Sequence, residues 1–308
     1  MSVIETFDLT KVYRGHLGRA PKRSLDALNL TVGENELFGF LGRNGAGKTT
    51  TIKILCSLLR PTRGRAIILG EESRSRKARR LIGYLPENPY FYEYLTPRET
   101  LDFYGKLEGL NAAERAAEWK KLAELLDLGD IAGQRVRGFS KGMRQRLGFA
   151  VALVGNPPVL ILDEPMSGLD PLGRRMIREL MLHLRDEKKT IFFSSHVLGD
   201  VQQVCDRVGI LVNGKLTRQG RIDELLCEDV KGVEVIANTL PASVATELSG
   251  NTRHVRHSEA GYHFTVDDLN GANELVRRIH AKGGAVVEFT PVRESLEDYF
   301  MRLQEHAK

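Results

Sequence analysis

Apolar residues fall in short blocks along the first two-thirds of the chain, and these blocks alternate with stretches where they recur every three or four positions. Short blocks suit buried strands, and the wider spacing suits helices with one buried face, so the alternation predicts an α/β domain. The segment ENELFGFLGRNGAGKTTTIKILCSLLRP holds one complete unit. A strand over about Glu36–Leu41 leads into a glycine-rich loop. A helix then runs to Arg60, with Ile52, Leu55, Leu58 and Leu59 on its buried face and Pro61 ending it. Upstream, Val3–Leu9 and Leu28–Val32 read as antiparallel strands at a sheet edge. Residues from about Leu95 to Ile131 read as mostly helical, with Trp119 as a packing anchor. Two further strand–loop–helix passages surround Val159–Pro165 and Thr190–Val197.

The pattern changes after Glu228. Strands over Lys231–Ala237, Arg253–Ser258, Tyr262–Val266 and Ala285–Phe289 are interleaved with helices over Pro241–Leu248, Leu269–Ala281 and Glu294–Gln304. The order βαββαβ predicts a small ferredoxin-like domain. The chain thus divides into a large α/β domain over residues 1–228, with a helical subdomain over about 88–155, and an α+β domain over 229–308. The second domain carries no phosphate loop, and it reads as a packing or dimerisation appendage.

Composition changes this picture little. No apolar stretch approaches the roughly 18–20 residues needed to cross a bilayer. The opening MSVIETFDLTKVYRG lacks the basic flank and apolar block of a secretory signal, so a cytoplasmic setting is expected. Cys56, Cys205 and Cys227 are scattered without metal-site spacing and read as reduced packing residues. The net charge of +5 is concentrated in SRSRKARR, where Arg74, Arg76, Lys77, Arg79 and Arg80 cluster. No aromatic residues are interleaved there for base stacking, so the run reads as a solvated helix face rather than a nucleic-acid site.

The candidate chemistry starts at Gly42-Arg43-Asn44-Gly45-Ala46-Gly47-Lys48-Thr49, which fits G-x-x-x-x-G-K-[ST]. Its glycines let backbone N–H groups curl around phosphate oxygens, and the following helix points its positive end at the same place. Lys48 brings a full charge to the β- and γ-phosphates, and the Thr49 hydroxyl suits Mg²⁺. Val159–Leu162 followed by Asp163-Glu164 is a buried strand ending in two carboxylates, and strand carboxyl ends are where open α/β sheets bind ligands. Asp163 suits the metal, and Glu164 suits polarising a water for attack on the γ-phosphate. The strand Thr190–Phe193 ends at Ser194-Ser195-His196, which places His196 to contact the γ-phosphate and hold that water. Phe139-Ser140-Lys141-Gly142-Met143-Arg144-Gln145 opens another helix. Ser140 is its N-cap, and an anion site forms at its start although no phosphate loop precedes it.

Together these segments resemble an ABC (ATP-binding cassette) transporter ATPase subunit. Gly42–Thr50 is similar to the Walker A motif, Leu160–Pro165 to Walker B, Phe139–Gln145 to the LSGGQ signature and Ser167–Asp170 to the D-loop. His196 matches the switch histidine, and Tyr13 matches the aromatic that stacks on adenine. The resemblance covers roughly Met1–Leu226. It implies a RecA-like core with an antiparallel edge sheet and a helical subdomain. It also implies ATP and Mg²⁺ as ligands, with Ser140, Gly142 and Asp170 joining Tyr13 and Gly42–Thr50 around the nucleotide in a head-to-tail dimer. Two motifs depart from the pattern. The signature reads FSKGM, and Glu87 stands in Gly83-Tyr-Leu-Pro-Glu87-Asn where glutamine is usual. A carboxylate there still reaches Mg²⁺ but adds charge beside the phosphates. Both variants, with the Ser295–Phe300 ending, resemble the bacterial subfamily that serves ABC-2-type exporters.

The resemblance implies a peripheral ATPase on the cytoplasmic face of the cell membrane, working with a second ATPase subunit, identical or paralogous, and a separate integral-membrane permease. The aromatic segment Asn88–Tyr104 is expected to receive a cytoplasmic helix of that permease. The alternative is a soluble ABC ATPase acting on nucleic acid or ribosomes. Such proteins carry paired cassettes or a long coiled coil, and the sequence has neither, so no specific nucleic-acid partner is expected. A third reading, ATP as a dimerisation switch without turnover, is opposed by the presence of Glu164 and His196.

Overall fold

The computed structural model describes residues 1–14, 20–226, 230–293, 299 and 301. The expected helix over Glu294–Gln304, the Ser295–Phe300 ending and Cys227 lie outside the described residues, apart from Tyr299 and Met301. The chain separates into two compact units, one over Met1–Ile222 and one over Asp223–Glu305, whereas the sequence reading drew the division at Glu228.

The first unit opens with β1 (Ser2–Tyr13), β2 (Lys22–Gly33), β3 (Leu37–Leu41), α1 (Lys48–Leu55), β4 (Arg63–Ile68), β5 (Glu71–Glu72), α2 (Arg76–Arg80) and β6 (Ile82–Leu85). Three helices follow: α3 (Pro97–Leu107), α4 (Ala112–Leu125) and α5 (Lys141–Leu153). The unit then runs through β7 (Val159–Leu162), α6 (Pro171–Asp186), β8 (Thr190–Ser195), α7 (Leu198–Gln202), β9 (Arg207–Val212) and β10 (Lys215–Arg221), and reaches α8 (Ile222–Leu226).

A six-stranded sheet in the order β10-β9-β3-β8-β7-β6 carries the chemistry. All its pairs are parallel except the β9–β10 hairpin. Every residue of β3, β7 and β8 is buried, as expected of parallel strands covered on both faces, and this explains their unbroken apolar runs. The hairpin escaped the apolar pattern. Its signal is Asn213-Gly214, where both residues take positive φ (49° and 81°) as a two-residue turn requires.

Val3–Leu9 and Leu28–Val32 pair antiparallel, as expected, within longer strands β1 and β2 of a separate sheet ordered β2-β1-β4-β5, in which β2 is an edge strand. The expected helix to Arg60 stops early, at Leu55. Ser57 adopts a left-handed φ of 62°, Leu58 N–H donates to the Lys53 carbonyl and Ser57 N–H to the Ile54 carbonyl, which is a Schellman termination. Leu58 is consequently 62% exposed rather than buried. In the helical region, Thr96 with Glu99 and Asn111 with Glu114 form capping boxes that start α3 and α4. The basic run forms the short α2, whose arginines face solvent while Ala78 is buried beneath them. Cys56 and Cys205 are free thiols, and burial raises both above the ordinary thiol range, as suits packing residues.

The second unit contains β11 (Val230–Asn238), α9 (Ala242–Leu248), β12 (His254–Ser258), β13 (Gly261–Val266), α10 (Leu269–Ala281) and β14 (Ala285–Arg293). Its sheet is antiparallel throughout in the order β12-β13-β11-β14, the ferredoxin-like arrangement. Alternate residues Val233, Val235 and Ala237 of β11 join Phe264 and Val266 of β13. They pack against Ala245 and Leu248 of α9 and Ala272, Leu275 and Ile279 of α10.

Candidate functional site

The glycine-rich loop joins β3 to α1. Gly45 and Gly47 take positive φ (84° and 116°), a region costly for residues with a Cβ. At Gly47 a Cβ would also stand 2.6 Å from the Ser24 carbonyl oxygen, so strand β2 is pressed directly onto the loop backbone. No side chain caps α1, which leaves its first N–H groups directed at the loop. Lys48 is 5% exposed, and its Nζ donates to the Gly42 carbonyl at 2.6 Å. It also pairs with Glu164 Oε1 at 3.1 Å.

Two carboxylates follow β7. Asp163 is buried, and burial raises its carboxyl above the ordinary range. The Glu164 charge adds to this, while hydrogen bonds from Ser194 and Thr49 and the charge of Lys48 oppose it. Ser194 Oγ donates to Asp163 Oδ1 at 2.7 Å and accepts from the Glu164 N–H at 2.9 Å. Thr49 Oγ1 donates to the same Asp163 oxygen at 3.3 Å. Glu164 holds a left-handed φ of 50°, which marks a sharp turn at the strand end. Its Oε2 accepts from His196 Nδ1 at 2.8 Å, which fixes the ring orientation. Glu164 thus stands between an ammonium and an imidazole.

Lys48, Thr49, Glu164 and His196 line a cavity of about 600 Å³. Of the residues singled out in the sequence, Arg43, Asn44, Gly45, Gly47, Lys48, Thr49 and Thr50 form its floor, and Tyr13, Glu87, Glu164 and His196 its walls. Gly42, Ala46 and Asp163 lie beneath this lining. Tyr13 is anchored by its hydroxyl, 3.4 Å from Thr50 Oγ1, and by Lys11 Nζ over its ring at 5.4 Å. Thr49 and Asp163 offer oxygen donors to a metal, with Glu87 on the cavity wall. Among the described residues no three acidic, histidine or cysteine side chains form a self-sufficient metal site. That donor set fits Mg²⁺, which usually takes one or two carboxylates plus phosphate oxygens and water.

Ser140, Gly142 and Asp170 are not in this cavity. They line a second one of about 610 Å³, where α5 and α6 begin. Ser140 caps α5 by accepting from Met143 N–H at 3.3 Å, and Asp170 caps α6 by accepting from Gly173 N–H at 2.7 Å. The buried Gln145 of α5 donates to the Pro165 carbonyl at 2.8 Å, tying this helix to the turn that carries Glu164. One chain therefore presents the expected nucleotide contacts in two separate cavities.

A third cavity, of about 620 Å³, lies against the helical region, with Tyr92, Tyr94 and Phe103 as its aromatic wall. Tyr92 stacks edge-on to Phe103 at 5.7 Å, and Tyr90 and Tyr94 are 82% and 65% exposed.

Sequence reasoning missed two contributors. Lys22 and Ser24 line the cavity without belonging to a motif, beside Ser167 of the D-loop-like segment. It also gave Ser194 no role. A hydroxyl at the carboxyl end of a buried strand, beside the strand bearing Asp163, was the available signal.

Comparison with known proteins follows from this geometry. Residues 25–167 match the ABC transporter family model. An ABC transporter ATP-binding protein of Synechocystis sp. is 40% identical over 304 residues, covering 98% of this chain and 84% of the relative. The bacitracin transport ATP-binding protein BcrA of Bacillus licheniformis is 37% identical, covering 98% and 97%. Among solved structures, an ATP-binding subunit of an ABC transporter superposes with a TM-score of 0.65 at 32% identity, covering 72% of this chain and 91% of that one. The dimeric structure of a bacterial ABC transporter cassette superposes with a TM-score of 0.66 at 25% identity, covering 71% and 98%.

Proposed function

The chain is an ATP-hydrolysing ABC transporter ATP-binding protein, and from that premise we propose how its residues divide the work. ATP enters the cavity over the phosphate loop with its base against Tyr13 and its β- and γ-phosphates on Lys48 and the loop N–H groups. Thr49, Asp163 and Glu87 hold Mg²⁺, which when bound offsets the phosphate charge. Phosphate oxygens compete with Glu164 for the Lys48 ammonium. Nucleotide binding therefore releases the Glu164 carboxylate from Lys48 while His196 keeps it oriented. Glu164 then takes the proton of the attacking water, and His196 holds that water near the γ-phosphate.

The observation that carries this reading is the contact set Lys48–Glu164–His196, at 3.1 and 2.8 Å. Ser140, Gly142 and Asp170 complete the site from a second copy or a paralogue, since they line a cavity of their own on a single chain. Glu164→Gln is expected to keep ATP binding while hydrolysis falls by roughly 10²–10⁴. The same variant with ATP and Mg²⁺ is expected to sediment as a dimer. Near-parent phosphate release would remove Glu164 from the role, and a monomer at all ATP concentrations would remove the shared site.

No helix among the described residues is long and apolar enough to cross a membrane. The partner that moves the solute is a separate integral-membrane permease, and the chain works on its cytoplasmic face. The groove walled by Tyr92, Tyr94 and Phe103 receives the permease's cytoplasmic helix, and the short segment from Glu87 to Tyr92 connects it along the chain to the nucleotide cavity. The bacitracin transport relative supports solute movement over the nucleic-acid alternative, and the FSKGM signature with Glu87, which resemble the exporter subfamily, supports export as the direction. The solvent-facing α2 gives that alternative no further support.

A further inference from the structure

Lys22 stands in the nucleotide cavity without belonging to any motif. In the β1–β2 ladder it lies directly opposite Tyr13, so the two side chains share a face of the sheet. Ser24 lines the same cavity as Lys22, and Arg23 pairs with Asp26 at 2.9 Å. Ser24 Oγ lies 2.9 Å from Thr50 Oγ1, and Tyr13 reaches the same hydroxyl. Because the Ser24 carbonyl leaves no room for a Cβ at Gly47, this end of β2 has a fixed position over the phosphate loop. Lys22 sits about 6.8 Å further along the strand, within the reach of a lysine side chain.

The charges make this placement informative. Arg23 is paired with Asp26, and Lys48 with Glu164. Among the described residues no carboxylate forms an ion pair with Lys22, although it lies in the same crowded rim. An unpaired ammonium at a cavity wall lowers the cost of bringing an anion there. Glu164, held by His196, lies against Lys48, at the end proposed for hydrolysis. Lys22 lies instead on the Tyr13–Thr50 side.

We infer that Lys22 is a nucleotide-binding cation acting on the α-phosphate, which ATP and ADP both carry. This rests on the nucleotide reading of the cavity. Lys22 therefore adds affinity for both nucleotides and does not favour one over the other.

The test is calorimetric titration of the full chain carrying Glu164→Gln, so that ATP survives, with ATP and ADP in turn, each with Mg²⁺. At low salt, Lys22→Ala is expected to weaken both ligands by a similar factor, roughly three- to tenfold. Lys22→Glu should weaken both further, and Lys22→Arg should restore the parent values. The loss should shrink as salt is added, because Lys22 is exposed. Unchanged affinities in Lys22→Ala, or a loss confined to ATP, would overturn the inference. Lys48→Ala in the same titration separates the two claims. If it removes binding while Lys22→Ala does not, only Lys22 is misassigned. If it also leaves binding intact, the nucleotide reading falls, and the inference with it.

Discussion

Ser194→Ala tests whether the two catalytic-strand carboxylates depend on a buried hydroxyl. Ser194 is fully buried, and its partners Asp163 and Glu164 are 2% and 8% exposed, so water does not readily replace the lost oxygen. The substitution removes a 2.7 Å hydrogen bond to a carboxylate and leaves the Glu164 N–H without its 2.9 Å acceptor. A hydrogen bond to a charged group contributes about 1.5–3 kcal/mol, and an orphaned buried N–H costs about 1–3 kcal/mol. Allowing for partial relaxation, the first unit should lose about 2–4 kcal/mol. Trp119 is the chain's only tryptophan and lies in α4 of that unit, so its fluorescence reports this unit's unfolding in urea. With a denaturant slope of about 2–3 kcal/mol per molar, the midpoint should fall by about 1 M. ATP hydrolysis should fall as well, since the same hydroxyl holds the Glu164 backbone at its left-handed turn. A parent-like midpoint together with parent-like hydrolysis would refute the reasoning.

Two further substitutions probe the same frame. Burial raises the Asp163 carboxyl, so the folded chain holds that proton more tightly than the unfolded one; this favours folding in acid and is lost as pH rises through the carboxylate range. Asp163→Asn, without Mg²⁺, should therefore gain thermal stability over the parent as pH rises through the carboxylate range, while losing Mg²⁺-dependent hydrolysis. A stability difference that does not vary with pH would contradict this. At Gly83 of β6 an added Cβ would stand 1.9 Å from the Ala152 carbonyl oxygen of α5, which is backbone and cannot turn aside. Gly83→Ala should cost about 2–4 kcal/mol in the urea titration, and an unchanged midpoint would contradict the tight β6–α5 contact.

How far the sequence carried depended on whether a signal was local. The phosphate loop was legible because its glycines, Lys48 and Thr49 are consecutive, and the loop dictates its own backbone. The parallel strands were legible because burial on both faces leaves unbroken apolar runs such as Val159–Leu162. Features set by contacts distant in sequence were not. The end of α1 is decided by the backbone turn at Ser57, although Leu58 and Leu59 continue the apolar spacing. The separate sheet depends on β1 pairing with β4, more than fifty residues away. Lys22 and Ser194 reach the site through strand register, and the division of the nucleotide contacts into two cavities is a property of the whole unit.

The measurement that bears most directly on the central claim is capture from detergent-solubilised membranes with the Glu164→Gln chain loaded with ATP and Mg²⁺. The account predicts recovery of a polytopic membrane protein in a stable ratio, released when Tyr92 and Tyr94 are replaced by aspartate. Recovery of soluble protein or nucleic acid alone, with ATP still bound, would contradict the proposed coupling to a permease.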